Sequence, residues 1–109
     1  METIKAIYKR VGFDPVEVTI ENELETLQRM IGGDIETVPW YFYNGMVMIV
    51  DEEGKLNNRP VNFAFRGDVI FGSAMWVGTD IKKGEFIDCP YSLEQFWRRW
   101  PWLFEEAGS

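Results

Sequence analysis

Residues 31–38 read IGGDIETV, and the reading of this stretch fixes the architecture. Upstream of it, Leu24, Leu27 and Ile31 recur at i, i+3 and i+7, Asn22 is a candidate N-cap, and Glu23 and Glu25 favour the positive end of a helix dipole. A short amphipathic helix therefore ends at Ile31. Gly32 can take the left-handed conformation that terminates helices, and Gly33 removes a side chain where the next segment starts. From Ile35 to Val38 apolar and polar residues alternate, as in a strand. The stretch is a helix-to-strand junction, in which Asp34 and Glu36 have no catalytic appeal.

Working outward, Ile4, Ala6 and Tyr8 alternate with Lys5, Ile7 and Lys9, and Val16, Val18 and Ile20 with Glu17, Thr19 and Glu21. Residues 3–9 and 15–21 are thus expected to form a hairpin around the Gly12–Pro15 turn, with one side facing water. On the C-terminal side, Trp40 to Tyr43 reads as extended, Pro39 marks an edge or a break, and Asn44-Gly45 is a tight-turn signal that pairs strand 46–50 back on 40–43. Asp51 to Lys55 reads as a second turn, and LNNRPVNFAF, residues 56–65, as the longest loop. Residues 69–77 form a nearly continuous apolar run broken only by Gly72-Ser73, expected to be a central strand covered on both faces, with Gly72 at a bulge or a close backbone approach. Ser92 to Gln95 matches a capping box, after which Leu93, Phe96, Trp97 and Trp100 share one helical face until Pro101. The order ββαβββα, with room for a strand near Phe86, predicts an α+β fold: an antiparallel or mixed sheet of five to six strands with two helices packed on one face.

The 109 residues are 46% apolar and 16% aromatic, which suits one folded domain, residues 1–106. Ala107-Gly108-Ser109 reads as a cloning remnant. The formal charge of −7 repels a phosphate backbone and argues against general nucleic-acid binding. No apolar run is long enough to cross a membrane, and the N-terminus lacks a signal-peptide core, so a cytoplasmic protein is expected. Cys89 is the only cysteine, which excludes an internal disulfide and a cysteine zinc cluster.

There is no histidine, which removes the usual general base, the commonest metal ligand and every Ser-His or Cys-His pair. No phosphate-cradling glycine motif is present, and DEEGK lacks the alternating ligands of a calcium loop. No enzyme activity, cofactor or metal is therefore expected. The best candidate ligand-binding set is Asn57, Arg59, Asn62 and Arg66 with Ser73 for polar groups, and Trp40 or Tyr41 for stacking. At the C-terminal end, Trp100, Trp102, Leu103 and Phe104 form a candidate partner interface, because a small domain has little surface to hide them.

Several of these segments also carry a family resemblance. The helix Leu24 to Gln28, the junction Gly32 to Val38, the turn Glu53 to Leu56, Pro60 to Asn62 and Gly72-Ser73 together resemble domain-of-unknown-function family 3846, found largely in phages, plasmids and other mobile elements. The resemblance runs from about Ile4 to about Phe96. Asp51 departs from it, since that turn often opens with asparagine, and the tryptophan-rich end WRRWPWLF has no clear counterpart. The resemblance implies a mobile-element protein and no particular activity.

Two functions follow as expectations. The first is an anti-defence sponge, a homo-oligomer whose pockets sequester a nucleotide-derived immune signal. The alternative is a protein inhibitor that binds a host nuclease or other defence protein through an acidic or Trp-rich surface.

Overall fold

The computed structural model describes residues 2–41 and 45–108, with side chains to Phe104. The first hairpin forms as expected: β1 (Thr3–Lys9) pairs antiparallel with β2 (Val16–Glu21), from Thr3 opposite Glu21 to Tyr8 opposite Val16. Helix α1 (Leu24–Ile31) follows, and Gly32 ends it at φ +98°, its N–H donating to the Gln28 carbonyl at 2.7 Å. The N-cap is Glu23 rather than Asn22, and no side chain caps the helix. Asn22 instead donates its carboxamide to the Phe86 carbonyl at 2.9 Å, so a long-range bond takes the group that the local pattern assigned to the helix.

Six further strands follow: β3 (Ile35–Pro39), β4 (Met46–Asp51), β5 (Val61–Phe65), β6 (Asp68–Phe71), β7 (Ala74–Asp80) and β8 (Glu85–Ile87). The large sheet is antiparallel in the order β2-β1-β7-β4-β3, with β8 also paired to β7; β5 and β6 form a separate hairpin. Helix α2 (Leu93–Arg99) carries the full Ser92–Gln95 capping box, and a 3₁₀ helix (Pro101–Gly108) follows it.

Three expectations about the strands are corrected. Residues 69–77 are not one strand: Gly72 at φ +80° turns the chain, and its N–H donates to the Pro60 carbonyl at 2.8 Å, so β6 folds on β5 while β7 enters the large sheet. Consequently half of the expected loop 56–65 is strand β5. Strand β4 pairs back on residues 35–39, up to Pro39 opposite Val47, and not on Trp40 and Tyr41 of the expected 40–43 segment. Trp40 leaves the sheet there for the aromatic core; Phe42, Tyr43 and Asn44 lie outside the described residues.

The helices cover opposite faces of the large sheet, not one. Side chains alternate along a strand, and one set, including Ile7, Met48, Trp76 and Val50, packs with Phe96, Trp100 and Leu103, while Ala6, Ile49, Met75 and Val77 pack with Leu27 and Ile31 of α1. Every residue from Ala74 to Val77 is wholly buried, and a strand apolar on both faces needs cover on both. The first face also extends into the hairpin: Ile7 and Lys9 are buried. Trp40 is the hub of this side, stacked on Phe65 at 4.5 Å and edge-on to Trp76 and Trp100 at 5.3 and 5.5 Å.

Candidate functional site: a polar clasp and an acidic cleft

Asp51 ends β4 with its side chain only 1% exposed. One carboxylate oxygen accepts from the Glu53 amide at 2.9 Å; the other accepts from Arg59 Nε at 3.1 Å and from Asn57 Nδ2 at 3.4 Å. The Arg59 guanidinium also donates to the Gly32 carbonyl, where a cation complements the negative end of α1. Glycine leaves the room on both sides of this clasp: a Cβ on Gly33 would lie 3.2 Å from the Asp51 carboxylate, and one on Gly72 would lie 3.3 Å from Arg59 Cβ. The junction, the acidic turn and the Gly-Ser break thus meet around one ion pair. Burial pulls the Asp51 carboxyl pKa upward, but the Glu53 amide, Arg59 and Asn57 together outweigh it and hold the group below its ordinary value.

A second polar node lies alongside. Lys9 donates to Asn62 Oδ1 at 2.6 Å, and Asn62 Nδ2 bridges the Lys9 and Gly72 carbonyls at 3.1 and 2.8 Å. The Tyr8 hydroxyl donates to the Met30 carbonyl at 2.7 Å and lies 3.4 Å from Ser73 Oγ.

The structure therefore divides the expected ligand-binding set. Asn57, Arg59, Asn62 and Ser73 gather around Gly72 and the clasp, where their polar groups meet other protein groups. Tyr41 and Arg66 form a separate pair, with the guanidinium 5.8 Å from the ring, and Trp40 is wholly buried. Of the expected partner interface, Trp100 and Leu103 are core residues; Phe104 is half-buried and Trp102 is 38% exposed. Trp97, assigned to the core-facing side of α2, is 52% exposed.

An open cleft of about 390 Å³ lies beside the clasp, between the β3–β4 edge of the large sheet and β6. Val38 and Val50 line the sheet side and Val69, Ile70 and Phe71 the hairpin side. Three carboxylates, Glu36, Glu52 and Asp68, line it against one lysine, Lys55, while Asp51 beneath is already paired with Arg59. Among the described residues no three Cys, Asp or Glu side chains are grouped to hold a metal ion, so these carboxylates are spread along the cleft rather than converging. Sequence reasoning did not group them because they come from a strand, a turn and a hairpin far apart in the chain. The only local signal was the outward phase of Glu36 in the alternation of β3.

Cys89 is buried, and desolvation pushes its thiol pKa up to about 11. Such a thiol is a poor nucleophile.

Fold and site together define a small α+β domain whose helix-to-sheet junction is held by an ion pair between the buried Asp51 and the partly exposed Arg59, next to an open acidic cleft. The chain belongs to the family described as "Domain of unknown function (DUF3846)", whose model matches residues 4–101. Comparison with curated proteins and with solved structures found no match.

Proposed function

We propose that the chain is a non-enzymatic binding protein of a mobile element that occupies a basic surface on a host defence protein through its acidic cleft. The observation that supports this most is the lining of the cleft: Glu36, Glu52 and Asp68 surround an apolar floor with only Lys55 to offset them, in a chain of net charge −7. Proteins that handle nucleic acid carry basic grooves, and a negative surface with apolar patches between its charges suits such a groove.

Sequestration of a nucleotide draws less support from the geometry. Asn57 and Arg59 are committed to Asp51, and the open cleft would repel a phosphate. Capture from host lysate by the wild type and by Glu36→Gln/Glu52→Gln/Asp68→Gln tests the proposal. A partner retained by the wild type, released by salt and absent with the variant supports it; equal retention by both excludes the cleft.

A further inference from the structure

Strand β3 pairs with β4 and with no second strand among the described residues. Which of its backbone groups stay open follows from the register. The Glu52 amide donates to the Asp34 carbonyl at 2.8 Å. Bonded and non-bonded pairs alternate along an antiparallel ladder. With Glu36 opposite Val50 and Val38 opposite Met48, it is Asp34, Glu36 and Val38 that turn their N–H and C=O groups toward β4. Ile35 and Thr37 turn theirs outward, while Pro39 offers an outward carbonyl and no N–H, so pairing stops there. Side chains divide in the same alternation: Glu36 and Val38 stand over the cleft, and Ile35 packs on the opposite face with the core under α1. Glu36, Thr37 and Pro39 are exposed.

The geometry points to capture of an extended, lysine- or arginine-rich protein segment as an antiparallel strand added to β3. This rests on the acidic-cleft reading above and gives it a docking mode. An added strand lies about 4.8 Å from β3, and residues directly opposite share a face. Residues opposite Ile35 and Thr37 exchange backbone bonds with them, and the residue opposite Glu36 sends its side chain over the cleft. A long cationic side chain there lies beside the Glu36 carboxylate and extends toward the acidic cleft, its methylenes running along Val38. The main chain supplies affinity and the alternate charges supply selection, the division of labour in strand addition. A second copy of this chain would bring a further charge of −7 to a negative cleft, so the occupant is a basic partner rather than self.

The test uses three ten-residue peptides of alternating lysine and threonine: one unmodified, one N-methylated at the threonines and one N-methylated at the lysines. In the added strand the threonines face Thr37 and Ile35 through their backbones and the lysines do not. The unmodified and lysine-methylated peptides should bind alike and protect the Ile35 and Thr37 amides from hydrogen exchange, and the threonine-methylated peptide should bind at least tenfold more weakly. If all three bind equally and lose binding only with Glu36→Gln/Glu52→Gln/Asp68→Gln, strand addition is overturned and the acidic cleft stands. If none binds, both fall. Thr37→Pro, which removes an outward N–H and no bond to β4, should weaken the unmodified peptide to the same degree; unchanged binding by a folded Thr37→Pro protein overturns the inference.

Discussion

Asp51 Oδ2 and Arg59 Nε lie 3.1 Å apart, with the carboxylate buried and the guanidinium reaching on to the Gly32 carbonyl at the end of α1. This pair connects the last residue of β4, the turn that follows it and the end of a helix packed on one face of the sheet. Arg59 is about a third exposed, which moderates its electrostatic contribution but not its geometric one.

Arg59→Met should cost about 2 kcal/mol, the range for a hydrogen bond to a charged group whose buried partner is left behind. Urea unfolding measures it. Arg59→Lys should recover only part, because an ammonium cannot reproduce the forked geometry that serves Asp51 and the Gly32 carbonyl together. Full recovery with lysine would show that charge alone matters.

Asp51 should make stability depend on acid. Its pKa in the folded chain lies below the ordinary 3.8, so on acidification the unfolded chain takes up the proton first. The contribution is therefore present above the unfolded value and is lost as pH falls through the folded one. Asp51→Asn keeps an acceptor for the Glu53 amide but has no charge to lose, so its stability below about pH 4 should fall less steeply than that of the wild type. Parallel profiles would remove Asp51 as the source.

Gly54 sets the wall of the cleft. A Cβ there would stand 2.8 Å from the Phe71 carbonyl, so the backbone itself must shift to admit it. Gly54→Ala should push β6 away from the turn and weaken binding of the alternating lysine–threonine peptide, with amide shifts concentrated in residues 68–71. Shifts confined to the turn would refute this coupling.

Trp76 is wholly buried at the centre of the sheet, and its indole N–H has no partner among the described residues. Trp76→Ala should cost roughly 3–5 kcal/mol, as expected for emptying a large core site. Trp76→Phe should cost clearly less than that range, since it keeps much of the ring packing and removes a buried donor that has lost its water. Thermal melts of the two variants compare them directly.

Cys89 should react slowly with a disulfide reagent at pH 8 in the folded protein and normally once the chain is unfolded. Its thiol is pushed to about 11 from 9.0, so the unfolded chain releases that proton first as pH rises. The thiol should therefore lower stability progressively between those two values, and Cys89→Ser should show a smaller loss there. Equal reactivity before and after unfolding would contradict the burial.

The sequence by itself determined the α+β class, the first hairpin, the end of α1 at Gly32 and the start of α2 at Ser92, because each is written in the periodicity and turn or cap residues of one segment or of two consecutive ones. It singled out Asn57 and Arg59 as candidate ligand-binding residues, whereas in the fold both donate to Asp51. Only the tertiary structure decided that residues 69–77 divide between two sheets, since both halves are apolar and the turn at Gly72 is held by its N–H donating to the distant Pro60 carbonyl. The same holds for the placing of the helices on opposite faces, which depends on which side of the sheet each connection crosses. The clasp joins Arg59 to Gly32, 27 residues earlier, and the cleft gathers carboxylates from a strand, a turn and a hairpin. Local patterning carries no record of such pairings; they exist only once the strands are in register.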